Sequence, residues 1–450
     1  MYKPLLAIRY LLRRRITILA ILSVTVCVFM VVVVMTVMNG LVEDFERKNH
    51  EFFGDCVIST QSLVGFAYYE EFLAELDRQD YIAASAPVIS SVAMLTRPGR
   101  DSNHIVNVVG FDPARQIKAT NFANTIHYHA GDPINAFVPT YGSDRDGCVF
   151  GSEMIHYRDA VTGEYYFSET SPRFAVDLSC FPLTAKGTLA KAGTDVVNSK
   201  PFTYSDACYS GIVRLDENTI YLPMDTLQLL CNAGAEKRVS AIYVKFTDKT
   251  DITEGTAKVR DLWQNFVAER KDDKYADLLG IVNVQRWFDY RRETIAPMQK
   301  EQTMMAMLFS LLGVITVFIV LVVFYMIISH KSKDIGILKS IGISTGCIVE
   351  VFLLFAAIIG TIGSAVGTVS GCIFLAYVNP LEDWLYVHCN GFQVWDRRVY
   401  AIGDIPNNIE PKVLAIIIAC AILACLIGAL VPSFQAARRR PSEILQVNQL

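Results

Sequence analysis

Histidine, cysteine and acidic side chains are where chemistry is sought first. The stretch "HYHAGD" sets His127 and His129 two apart with Asp132 close behind; in an extended strand both imidazoles would face one side, as ligands of a zinc ion do. No third and fourth ligand completes a tetrahedral set, so the favoured reading is a pair of surface or turn histidines. The eleven cysteines include no C-x-x-C pair, which removes zinc-ribbon and thioredoxin chemistry. No Ser-His-Asp set or nucleophile elbow supports hydrolysis, and no G-x-x-x-x-G-K-(S/T) loop is present to cradle a nucleotide phosphate. A membrane-anchored enzyme or receptor is therefore the weaker class, and neither a metal, another cofactor nor a nucleic-acid partner is expected.

What remains distinctive is "SHKSKDIGILKSIGIS", which separates two of the most apolar runs in the chain. Ile335, Leu338 and Ile341 or Gly342 fall three or four apart and make one apolar stripe, with Lys333, Asp334, Lys339 and Ser340 to its side. Gly342 stands where a helix C-terminus takes a glycine. The segment is either a short interfacial helix joining two spans or a docking helix whose exposed face enters a soluble partner.

The elements that position this segment are read from hydropathy. With 450 residues, 52% of them hydrophobic, and a formal charge of −4, the chain is too apolar for an ordinary soluble protein. Four runs are long enough to cross a bilayer core, which takes roughly twenty residues of helix: 16–38, 304–328, 347–378 and 413–431. The first, second and fourth hold no Asp, Glu, Lys or Arg, and the third holds a single acid, Glu350, near its start. The first run is too long for a cleaved signal peptide and lacks a small-x-small cleavage site, so it is expected to stay as an anchor. Gly363, Gly367 and Gly371 form a small-x-x-x-small ladder that lets another helix approach closely or merely permits bending; either way this span is a packing element.

Short-loop charge sets the orientation. Lys3, Arg9, Arg13, Arg14 and Arg15 precede the first span, Lys331, Lys333 and Lys339 sit between the second and third, and Arg438, Arg439 and Arg440 follow the fourth. These flanks, 1–15, 329–346 and 432–450, and with them both termini, are expected in the cytoplasm. Segments 39–303 and 379–412 are then expected outside it. The expected architecture is an α-helical membrane protein with four transmembrane helices and a large α+β extracytoplasmic domain inserted between helices 1 and 2.

Within that domain "DCVIST", "HIVNVVGF", "NTIYLP" and "AIYVKF" read as strands, while "YEEFLAELDRQ" and "TEGTAKVRDLWQNFVAER" read as helices. The Gly-, Pro- and Ser-rich stretch near 160–210 reads as a compact β-rich insert, the smaller part if the domain divides. From Val284 to Ile328 a polar-faced helix runs into an apolar one, interrupted at Pro297. Six cysteines, Cys56, Cys148, Cys180, Cys208, Cys231 and Cys389, would lie where a disulfide persists; Cys180 with Cys208 is the candidate pair, and buried free thiols are the alternative.

The residues also carry a family resemblance along their whole length. "RYLLRRR" before a span ending "VMTVMNG", the interspan loop and "VPSFQAARRRPSEILQ" are similar to the permeases of MacB/FtsX-type ABC transporters, and among these to the lipoprotein-releasing LolC/LolE type. Val37, Met38, Asn39 and Gly40 match the end of the first span. Lys331, Asp334, Ile335, Ile337, Leu338, Lys339, Ile341 and Gly342 match the loop pattern, and Pro432, Ala436, Ala437, Arg438, Pro441, Glu443 and Leu445 match the tail. "VVGFDPAR", "VFGSEM" and "YSGIVRLDENTIYLPMDTLQLL" resemble ectodomain phrases in the same order, whereas the stretch from "FSETSPRF" to "SDACYS" departs from them.

The resemblance implies an FtsX-like permease domain over 304–445 and a MacB-like domain over 39–303. It implies a non-catalytic subunit of the bacterial inner membrane that pairs with a second permease and an ABC ATPase, a separate chain that binds the ATP. Lys333, Asp334, Ile335, Leu338, Lys339, Ile341 and Gly342 would dock the ATPase. Lipoprotein release toward a soluble periplasmic carrier is the implied activity; MacB-type efflux and FtsX-like mechanotransmission are the alternatives, and the missing phosphate loop counts against a fused efflux protein.

Overall fold

The computed structural model describes residues 15–99, 103–141, 145–159, 162–189, 198–231, 237–330, 336–337, 339–389, 392–393, 395, 397 and 403–438. In chain order the elements are α1 (Arg15–Phe53), β1 (Cys56–Ser59), α2 (Tyr69–Leu76), β2 (Ile82–Thr96), β3 (Asn103–Phe111), α3 (Pro113–Ala119), β4 (Gly147–Gly151), β5 (Ala175–Cys180) and β6 (Asn198–Cys208). There follow α4 (Val213–Asp216), β7 (Thr219–Pro223), α5 (Met224–Cys231), β8 (Ala241–Phe246), α6 (Ile252–Glu269), α7 (Ala276–Gly280), β9 (Asn283–Arg286), α8 (Trp287–Tyr290), α9 (Arg292–His330), α10 (Thr345–His388) and α11 (Pro411–Arg438). Two compact units result: Met1–Val42, Pro297–Val394 and Ile405–Leu450 form one, and Glu43–Ala296 with Trp395–Asp404 the other.

The first unit is helical. α1, α9, α10 and α11 are each long and apolar enough to cross a membrane, and each outruns the apolar stretch that announced it. α1 continues past Met38 to Phe53, α10 past Val378 to His388 and α11 past Val431 to Arg438. Hydropathy marks the window that suits hydrocarbon, whereas a helix goes on until its backbone is stopped. α1 carries Asp44 and Lys48 one turn apart, 2.8 Å from each other, and it ends beside Gly54, whose φ of +76° suits glycine alone. The expected interruption at Pro297 is absent: α9 runs through it. So near the helix start, the missing N–H removes a single backbone bond.

The second unit is built on a nine-stranded sheet, in the order β3-β7-β4-β6-β5-β2-β8-β1-β9 among the described residues. The four strands and two helices read from sequence are there as β1, β3, β7 and β8 and as α2 and α6. On one face α2, α5 and α6 bury Phe72, Leu76, Leu227, Val259, Trp263 and Phe266 against the sheet. Asp251 caps α6 by accepting from Thr253 N at 2.9 Å and Glu254 N at 3.3 Å. On the other face lie Phe52, Phe53, Phe111, Phe122 and Tyr221.

Three expectations are corrected. The stretch near 160–210 is not a separable insert, because β5 and β6 lie mid-sheet between β4 and β2. Part of the expected 379–412 loop, Trp395–Asp404, belongs to the α/β unit. Cys180 and Cys208 cannot be the disulfide pair. Cys180 lies opposite Asn198 at the start of β6 and Cys208 is that strand's last residue, with all 11 residues of β6 between these ends. That separation is roughly 30 Å of strand, whereas a disulfide needs Cα atoms within about 7 Å. The two thiols also sit in the cores on opposite faces of the sheet.

Candidate functional site

Glycines set the distances between the helices. A Cβ on Gly363 would lie 2.8 Å from Val24 Cβ, one on Gly367 2.7 Å from the Thr25 carbonyl oxygen, and one on Gly371 3.0 Å from Val32 Cγ1. The three glycines therefore share one face of α10 and receive α1 in backbone-level contact. The Thr25 hydroxyl adds a hydrogen bond of 3.2 Å to the Gly363 carbonyl. The pattern recurs at other pairs: Gly360 of α10 meets Ile422 of α11, and Gly428 of α11 meets the Val317 carbonyl of α9. Small residues thus stitch α1 to α10, α10 to α11 and α11 to α9, as helices do in lipid, where apolar burial alone gives no association.

The remaining side, where α1 faces α9, holds an apolar cavity of about 420 Å³. Val24, Val28 and Val31 of α1, Phe309 and Gly313 of α9, and Ile417 of α11 line it. Its size is within the range of small-molecule pockets, about 300–1,000 Å³. Its polar lining is sparse: Cys27, Cys420 and Ser310 line it, and the Thr316 hydroxyl donates back to the Leu312 carbonyl at 3.0 Å. No charge lines it, so hydrocarbon suits it and an ion does not. Above the cavity in sequence, Gln302 Nε2 donates to Asn39 Oδ1 at 2.7 Å, tying α9 to α1. Sequence reading missed this polar clasp; Asn39 in "MNG" was its only signal.

Of the proposed docking residues, Lys333, Asp334, Ile335 and Leu338 lie outside the described residues. Lys339 and Ser340 are helical, and the turn that follows is explicit. Gly342 has φ +95° and donates its N–H to the Lys339 carbonyl at 3.0 Å, an arrangement in which an L side chain is strained. Ile337 and Ile341 are exposed, the latter by 74%, which leaves apolar surface on this segment.

In the α/β unit the histidines of "HYHAGD" serve a turn. Asp206, fully buried on β6, accepts from the backbone N–H groups of Tyr128 and His129 at 2.8 Å and of His127 at 3.2 Å, and from its own neighbour Ala207 at 2.7 Å. His129 Nδ1 lies 3.0 Å from the same carboxylate, while the His127 ring stacks on Phe167. The two imidazoles therefore have different partners, and no metal-holding group of His, Cys, Asp or Glu occurs among the described residues.

A second buried polar centre was not foreseen. Arg158 lies 2.7 Å from Glu153, stacks over Tyr165 and donates to the Arg397 carbonyl at 3.4 Å, which ties Arg397 to this unit. Nearby, burial pushes the Asp216 carboxyl up to about 7, against the lowering effect of bonds from Ser210 and Gly211.

Comparison with known proteins assigns this architecture to a class. Residues 306–441 match the FtsX-like permease C-terminal family, and over nearly its whole length the chain is similar to transmembrane proteins of lipoprotein-releasing systems. It is 20% identical over 436 residues to the lipoprotein-releasing system transmembrane protein LolC of Neisseria meningitidis, covering 96% of this chain and 94% of that one. It is 21% identical over 456 residues to LolC of Xylella fastidiosa (strain Temecula1), covering 99% and 100%. Among solved structures, the periplasmic region of MacB from Actinobacillus actinomycetemcomitans aligns with 57% of this chain and 97% of its own at a TM-score of 0.31 and 13% identity.

Proposed function

We propose that this chain is the permease subunit of an ABC transporter that releases lipoproteins from the outer leaflet of a bacterial inner membrane to a soluble carrier. The observation that carries the proposal is the uncharged cavity of about 420 Å³ lined by α1, α9 and α11. Full-length similarity to proteins named for lipoprotein release supports it. An acyl chain leaving lipid loses about 0.8 kcal/mol per methylene, so extraction needs both an apolar place to go and an external drive. The cavity provides the first. The second comes from a separate ABC ATPase docked on the loop that turns at Gly342, with a second permease completing the transporter.

Transmission follows from the helices. α1 and α9 each contribute to both compact units without a break, so displacement at their cytoplasmic ends reaches the α/β unit as motion of a continuous helix. That unit lies outside the cytoplasm, as the basic flanks direct, where it passes cargo to its carrier. The test places photo-crosslinking residues at Val31 and Phe309, with Ile105, exposed in the α/β unit, as the control. Both cavity positions are expected to capture lipidated proteins in the presence of ATPase and ATP. Capture of unlipidated partners alone would replace release by mechanotransmission.

A further inference from the structure

Cys180 ends β5 and Cys231 ends α5; both are free and buried in one core. Several contacts hold their backbones together. Asn198, directly opposite Cys180 in the β5–β6 ladder, donates from Nδ2 to the Leu230 carbonyl at 3.0 Å. The Leu183 N–H donates to the Cys231 carbonyl, also at 3.0 Å. On its other side Cys180 is paired with Ala93 of β2; Ser91, two residues earlier and so on the same face, hydrogen-bonds the Cys231 sulfur. The Cys180 thiol hydrogen-bonds that same sulfur. Cys148 and Cys208 are equally buried but turn to the Thr203 carbonyl and the Thr125 hydroxyl.

We propose that Cys180 and Cys231 are a dithiol pair that closes to a disulfide by exchange with an external disulfide, fastening α5 to the middle of the sheet. Cys231 is the attacking sulfur: it keeps 7% of its surface exposed while Cys180 has none. The hydrogen bond from Cys180 also holds its thiol below the ordinary cysteine range. Its thiolate attacks one sulfur of an external R–S–S–R, breaking that bond, forming a mixed disulfide and releasing RS⁻. The Cys180 thiolate then attacks the Cys231 sulfur and expels the second RS⁻. Two protein thiols are oxidised, one external disulfide is reduced, and the two thiol protons pass to the two leaving thiolates. The pair meets such an oxidant only if the α/β unit lies outside the cytoplasm, so this proposal rests on that part of the functional reading.

The experiment separates the two. In intact cells, a membrane-impermeant maleimide is applied to exposed Cys389, on the loop expected to share the α/β unit's side of the membrane; labelling reports orientation. The full-length protein, purified in detergent, is incubated with oxidised glutathione, quenched in acid, alkylated and digested without reductant. The peptides of Cys180 and Cys231 are expected to leave the alkylated pool and appear as one linked pair, two hydrogens lighter than the separate peptides and restored by reductant. In Cys231→Ser the linked pair is expected to vanish. Recovery of both as free thiols after oxidation, or linkage of either to Cys148 or Cys208, overturns the proposal. A linked pair together with an unlabelled Cys389 sinks the orientation and leaves the pairing standing.

Discussion

In the helical unit the neighbours of Gly363, Gly367 and Gly371 are Val24, Val28 and Val32; in the α/β unit Phe72 meets Trp263 edge-on at 4.7 Å and Phe266 at 5.0 Å between ring centroids. Small residues make the first contact and the largest ones make the second. The solvent explains the difference. Water rewards burying a large ring, whereas lipid tails are as apolar as valine, so helices there gain only by approaching until backbone touches side chain. Polar groups divide the same way. The helical unit mostly returns its hydroxyls to its own backbone, as Thr316 and Ser433 do, while the α/β unit buries charged centres at Asp206 and Arg158.

The largest break in that contrast is expected at Asp206. Asp206→Ala deprives the N–H groups of residues 127–129 and 207 of their acceptor. Each buried donor left without an acceptor costs roughly 1–3 kcal/mol. Hydrogen exchange on the detergent-purified chain should show residues 125–132 and β6 losing protection while α10 and α11 keep theirs. Unchanged exchange at 125–132 would mean that the turn is held by something other than the carboxylate.

The contrast also explains what could be read in advance. The four spans were legible because a bilayer demands long apolar windows, and the glycine ladder because its spacing is local to one helix. The strand and helix phrases were legible for the same reason, as "AIYVKF" and "TEGTAKVRDLWQNFVAER" show. What depended on strand order was not. Cys180 was singled out in sequence, but only the β5–β6 register and the seat of α5 decide that Cys231, and not Cys208, stands beside it. The acceptor of the "HYHAGD" turn is likewise supplied by a strand far along the chain, and Arg397 is tied to the α/β unit through Arg158. Helix ends were hidden because hydropathy falls before the backbone stops.

A smaller effect is expected at the glycines, and it sharpens the comparison by using one substitution at two sites. At Gly367 an added methyl meets the Thr25 carbonyl at 2.7 Å and Val28 Cβ at 2.9 Å, so Gly367→Ala must push α1 and α10 apart; overpacking of this kind costs about 1–3 kcal/mol. At Gly313, on the cavity wall, nothing lies within 4 Å of the added carbon. There alanine is the better helix former by about 1 kcal/mol, and Gly313→Ala should hold or raise the thermal midpoint in detergent. Equal midpoints for the two variants would remove close approach as the force that holds α1 to α10.

The smallest effect is expected where neither kind of packing acts. Gly342 has open space around its Cα, so the methyl of Gly342→Ala clashes with no neighbour; only its φ of +95° resists. Holding an alanine at positive φ costs about 1 kcal/mol, which the loop can avoid by unwinding the turn after Lys339 and moving Ile341. If that turn presents the ATPase-docking face, the strain appears as weaker association, about fivefold for 1 kcal/mol, in a titration of ATPase against the purified permease. Gly346→Ala is the matched control: its surroundings are equally open and its φ is not positive, so its affinity should stay at the wild-type value. Equal affinities for both variants would show that the docking surface does not depend on the turn, and would shift the contact to residues before Gly336.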